Sequence, residues 1–133
     1  MTKISVIEND GISLWYHPDT KIVHHQIHKF ISGKVMRDAF TKGAELLEQH
    51  RACKWLSDDR DTGATTPDDK EWTATVWVPK VLKAGWKYWA LVMPDKVVAS
   101  MNVKRLKDEF AKSGVTVQTF SDPESGLKWL ESL

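Results

Sequence analysis

The chain has 133 residues, with 19 Lys and Arg against 18 Asp and Glu, a size that suits one domain able to bury roughly two-thirds of its unfolded surface. Charges that nearly cancel give no global field for nucleic acid or an anionic membrane, so neither is expected as a partner, and no stretch approaches the ~18 apolar residues of a membrane span. Cys53 is the only cysteine, which excludes an internal disulfide, and an N-terminus lacking the apolar core of a signal peptide points to a cytoplasmic protein.

Three short strand-like runs open the chain. Lys3 to Ile7 leads into Glu8-Asn9-Asp10-Gly11, whose Asn, Asp and Gly tolerate positive φ and close a hairpin with Ile12 to Tyr16. His17-Pro18-Asp19-Thr20 forms the next turn and Lys21 to His28 the third strand, so an antiparallel meander is expected. Four histidines crowd this meander, but strand alternation points His24 and His25 to opposite faces and sets His24 and His28 about 13 Å apart. Only His17, if the turn placed it opposite His24, could complete a metal pair, so ordinary strand histidines and no metal are expected.

A helix follows to about His50, with Met36, Ala39, Phe40, Leu46 and Leu47 on one stripe. Cys53 to Leu56 reads as a short interior strand, with Cys53 a small core residue. The strand runs into Ser57-Asp58-Asp59-Arg60-Asp61-Thr62-Gly63-Ala64-Thr65-Thr66, an acidic, hydroxyl-rich loop at the place where ligands and partners of α/β domains gather. Thr66-Pro67-Asp68-Asp69 starts the next helix, with Thr66 as cap. That helix carries Trp72, Val76 and Trp77, must bend or restart near Val78 because of Pro79, and ends at Ala84-Gly85.

Lys87 to Met93 stays apolar long enough for a central strand, and Pro94-Asp95 opens a helical stretch that stops at Gly114 and divides at Asn102. Val115 to Phe120 alternates as a strand, and Ser121-Asp122-Pro123-Glu124 starts a last helix with Leu127, Trp129 and Leu130. The expected fold is therefore α/β: a mixed sheet, largely parallel with an N-terminal antiparallel meander, helices packed on it, and one domain over residues 1–133.

This order, with Lys54-Trp-Leu-Ser-Asp-Asp59, the Trp-bearing helix with Pro79, the strand Tyr88 to Pro94 and the closing Phe120-Ser-Asp-Pro-Glu-Ser-Gly-Leu-Lys-Trp-Leu130, resembles the small bacterial SpoIIAA-like or STAS-like domains, CRAL-TRIO-like relatives included. The resemblance implies a regulatory, non-catalytic domain; some members switch by phosphorylation of a serine at a helix start, and others are similar to lipid-binding domains. The matching place here is Asp61-Thr62-Gly63, which makes Thr62, with Ser57 as a further hydroxyl, the candidate modification site. Asp58, Asp59 and Asp61 would repel an incoming phosphate there.

The loop fits no calcium site, since Ala64 and Lys70 stand where an EF-hand needs Gly and Glu, and no Gly-rich phosphate loop or Gly-x-Ser-x-Gly elbow is present. An Asp59-centred phosphatase motif would need more catalytic elements than this chain holds. Neither catalysis nor a cofactor is expected. Two readings stand. In the first, Asp58, Asp59, Arg60, Asp61, Thr62 and Thr66, with the following helix, are presented to a protein partner. In the second, a small apolar or lipid-like ligand sits between the sheet and Trp72, Val76 and Trp77, among the seven tryptophans. The first is preferred for its denser local signal, and a homodimer is compatible with either.

Overall fold

Apolar residues alternating along the N-terminal third, then apolar runs separated by helices, build a single six-stranded sheet in the computed structural model, which describes residues 3–63 and 65–133. The strands are β1 (Ile4–Glu8), β2 (Ile12–His17), β3 (Ile22–Ile27), β4 (Lys54–Asp58), β5 (Tyr88–Val92) and β6 (Thr116–Phe120), and they lie side by side in chain order. β1, β2 and β3 pair antiparallel and β3 to β6 run parallel. This is the mixed α/β sheet expected from the sequence.

The first hairpin closes differently from expectation. Gly11 does not take a positive φ; instead the Asn9 carboxamide oxygen accepts from Gly11 N and Ile12 N, both at 2.9 Å. Glycine is needed there for space, since a Cβ would stand 2.5 Å from Ile31 Cγ2. In the second turn the left-handed position falls on Lys21, with φ 55°.

Right-handed crossovers between neighbouring parallel strands, always stepping the same way across the sheet, bring their helices to one face. There Leu14, Tyr16, Val23, Trp55 and Val117 pack under α1 (Lys34–His50), α3 (Val78–Lys83) and α5 (Val103–Ala111). The last helix, α6 (Pro123–Glu131), returns to no strand and covers the opposite face, placing Leu130 on Ile22, Leu56, Ala90 and Val92.

The helix expected across Pro79 takes three pieces: α2 (Pro67–Trp72), one π turn (Thr73–Trp77) and α3. Pro79 has no N–H to give, and the chain widens just ahead of it so that Val78 N–H bonds the carbonyl of Thr73, five residues back. The break is thus a widened turn, and it begins before Val78. The stretch after Pro94 divides as expected into α4 (Asp95–Ser100) and α5, whose cap Asn102 accepts from Arg105 N at 2.9 Å. Cys53 is half-buried ahead of β4, a correction to its placement in the strand. Its carbonyl accepts from Lys87 N and Tyr88 N at 2.9 and 3.0 Å, which ties the entry of β4 to that of β5. Among the described residues no helix is long and apolar enough to cross a membrane.

Candidate functional site

The parallel register of β3 and β4 sets His25 beside Ser57, and that of β4 and β5 sets Ser57 beside Leu91. Because alternate residues share a face, His25, Trp55, Ser57 and Asp59 all belong to the helix-covered side of the sheet, at its carboxyl end. Asp59 N–H still bonds Val92 O at 2.9 Å, so the residue is held as an extension of the β4 ladder rather than released into the loop.

Here the side chains form a chain of hydrogen bonds. The indole Nε1 of Trp55 lies 3.0 Å from His25 Nδ1, and His25 Nε2 lies 2.7 Å from Asp59 Oδ1. An indole N–H only donates, so Nδ1 is the acceptor and the ring proton sits on Nε2, from which it is given to the carboxylate. Both imidazole nitrogens are therefore engaged, and neither reaches Ser57. The Ser57 oxygen accepts from Trp89 Nε1 at 2.9 Å, leaving its own proton free to donate.

His25, Ser57 and Asp59 form the floor of a cavity of about 570 Å³ between the sheet and the π turn, with Trp55 buried behind His25. Phe40, Trp77, Trp86, Trp89 and Phe110 wall it, and Ser57, Asp59, Thr62, Thr65 and Thr73 supply its polar positions. The walls brace one another: Trp77 stands 5.2 Å from both Phe40 and Trp55, and Trp86 5.3 Å from Trp89, in tilted and edge-on arrangements that suit ring quadrupoles. Trp77 Nε1 donates to Phe40 O at 2.8 Å, so the π turn is tied to α1. The Trp86 N–H is buried without an acceptor among the described residues, a cost of about 1–3 kcal/mol carried by the packing around the ring.

The acidic loop, described at every expected position except Ala64, turns most of its carboxylates inward. Asp58 points to the α6 side, where Arg60 holds it by Nε and Nη2 at 2.9 and 2.8 Å. This paired carboxylate also holds the Arg60 guanidinium above its usual pKa. Asp69, 1 % exposed, accepts from Gly33 N, Arg37 Nε and Thr66 Oγ1. The Gly33 N–H above all holds its carboxyl below the usual range. Thr66 caps α2 as expected, accepting from Asp69 N at 3.1 Å. The start of α2 is thereby fixed to the start of α1. Of the loop residues assigned to a protein partner, Asp61 and Arg60 are exposed, Thr62, Thr66 and Asp59 half-buried and Asp58 buried.

The two hydroxyls singled out for modification differ in access: Thr62 is half-buried at the cavity and Ser57 is buried on its floor. Of the residues assigned to an apolar pocket, Trp77 lines the cavity. Trp72 stacks under the Arg37 guanidinium at 5.5 Å, and Val76 faces outward. Sequence reasoning missed His25, Trp86, Trp89 and Phe110; strand alternation had placed His25 opposite His24, but its partner Asp59 lies 34 residues away.

On the other face His17 Nε2 and His24 Nδ1 meet at 3.2 Å with the rings stacked. Burial, helped by His17, His25 and Lys3, pushes His24 down to about 3. Among the described residues no group of three or more His, Cys, Asp or Glu side chains is placed to hold a metal ion. The pair has a consequence for pH. A histidine that resists its proton only when folded leaves the unfolded chain binding more protons, so stability is full above the ordinary histidine range and falls as the pH drops from about 6.5 towards 3. The expected slope from this residue is at most about 1.4 kcal/mol per pH unit. Urea melts across pH 4–7 should show it, and His24→Gln should flatten it.

Comparison with family models, with curated proteins and with solved structures gave no match.

Proposed function

We propose that this chain is a non-catalytic binding module that holds a small, largely apolar molecule in the cavity between the sheet and the π turn. The observation that carries the reading is the combination at one place of aromatic walls and a few fixed polar groups, lying at the carboxyl ends of β3, β4 and β5. A π turn roofing the cavity adds support, because such turns recur at functional sites. Binding is favoured over catalysis because the imidazole of His25 is committed at both nitrogens and leaves Ser57 without a base.

Presentation of the acidic loop to a protein partner, the other reading drawn from the sequence, has less behind it. Asp58 and Asp69 spend their carboxylates on Arg60 and the start of α1, and Asp59 lines the cavity instead of standing out on the loop surface. The SpoIIAA-like resemblance is compatible with the ligand reading, since that group includes relatives of lipid-binding domains.

Ala74 lies on the π turn at the cavity with its side chain exposed, so Ala74→Trp should narrow the entrance without touching the core. Native mass spectrometry of protein purified gently from its own host should show an added mass that is absent after denaturation. The same preparation of Ala74→Trp should lose it while melting within a few degrees of the parent. A bare chain in both, together with no stabilisation by any member of a library of apolar compounds, would sink the reading.

A further inference from the structure

We propose that the cavity selects a ligand with an aromatic or apolar body and a protonated amine, the ammonium group seating on Oδ2 of Asp59. The inference rests on the binding reading above and adds to it the charge of the ligand.

It begins at Trp55. Its N–H occupies the Nδ1 lone pair of His25, so that nitrogen cannot take a proton while the bond stands, and the imidazole facing Asp59 is the neutral form. Were the ring an imidazolium, it and the carboxylate would cancel. As built, the pair leaves the charge of Asp59 uncancelled in the lining of an aromatic cavity, with Oδ1 bonded to His25 and Oδ2 without a hydrogen-bond partner among the described residues. A carboxylate side chain only 21 % exposed gains more from a cation, which also balances its charge, than from a neutral donor.

Among the described residues no cation of the protein fills that role. Arg60, next in sequence, is committed to Asp58 on the opposite face. Lys70 lines the cavity but is exposed and makes no ion pair with Asp59. The lining is compatible with the same charge, because Phe40, Trp77, Trp86, Trp89 and Phe110 line the cavity and an aromatic ring attracts a cation wherever its face meets one. A carboxylate-bearing ligand would meet Asp59 as a like charge.

Three probes of one shape separate the possibilities: tryptamine, 3-ethylindole and indole-3-propionate, titrated calorimetrically into the full chain at pH 7. Tryptamine should bind roughly tenfold or more tightly than the neutral probe, and the propionate weakest. Asp59→Asn keeps an acceptor for His25 but removes the charge, and should bring tryptamine and 3-ethylindole within about twofold of each other. Equal binding of these two by the parent, or a tryptamine preference that survives in a folded Asp59→Asn, would overturn the charge inference and leave the cavity reading intact. Preference for the propionate would overturn it in favour of selection by Lys70. Failure of all three to bind, with no apolar compound stabilising the chain, would overturn the binding reading as well. Because the comparison of probes on the parent chain is decisive alone, the outcome does not depend on how well the variant folds.

Discussion

Replacing Gly43 with alanine should cost about 3 kcal/mol of stability, at the upper end of what overpacking a core usually does, and should loosen the cavity floor with it. The added Cβ would stand 2.1 Å from Trp55 Cη2, 2.6 Å from Cζ3 and 3.0 Å from Cζ2. Trp55 has nowhere to retreat: it is 1 % exposed, its N–H is bonded to His25, and it meets Phe40 and Trp77 edge-on at 6.4 and 5.2 Å. Either α1 lifts from the sheet or the indole tilts and releases Nδ1 of His25. Gly126→Ala is the informative control. Its Cβ would meet Leu56 Cδ1 at 2.9 Å, but that atom is the end of a flexible side chain, so a loss of about 1 kcal/mol is expected. Urea denaturation of both variants checks the order, and a Gly43→Ala chain as stable as the parent would mean that Trp55 is not the fixed support described here.

The different fates of Trp72, stacked against Arg37, and Trp77, which lines the cavity, show which parts of this molecule can be seen in its sequence. Signals that act over one turn of chain are legible: Thr66-Pro67 and Asp122-Pro123 start helices where expected, Gly85 and Gly114 take positive φ at helix ends, and the apolar run of β5 occupies an interior strand. Alternation alone separates His24 from His25. What alternation cannot supply is the neighbour across the sheet. That His25 meets Ser57 and Asp59 follows from β3 and β4 lying adjacent and parallel in one particular register, a consequence of packing α1 between them. The π turn defeats helical spacing in a similar way. On a regular helix residues 72 and 77 stand about 140° apart, and the widening at Thr73–Trp77 changes which side chains look inward. The aromatic helix after the loop was visible as a ligand wall, but which of its residues form that wall was not. The loop itself looked like an acidic surface because its charges could be counted, whereas their partners Arg60, His25, Gly33 and Arg37 could not be assigned.

Arg60 separates these two views of the loop by experiment. If the loop served as a partner surface, Arg60→Ala would abolish an interaction and leave the fold as it was. The geometry leads to the reverse emphasis. The guanidinium grips Asp58 through two nitrogens, and the Asp58 side chain is only 3 % exposed, in line with β4 and beneath the start of α6. Truncation leaves a carboxylate without its cation in a place taken from water. The expected loss is about 2–3 kcal/mol, less than for a fully enclosed pair because Arg60 is itself 37 % exposed and water can follow it in. Arg60→Lys should recover only part of this, since an ammonium is a point charge and cannot match both carboxylate oxygens with two parallel donors. Arg60→Ala with Asp58→Asn should recover more, because the charge that needed the guanidinium is gone and the amide can find local partners. The cavity side should feel the change only through the backbone between Asp58 and Asp59, so tryptamine affinity should move by less than about threefold in any variant that stays folded. A stability loss repaired by Asp58→Asn would mark Arg60 as the counter-ion of a buried carboxylate rather than as part of a partner surface.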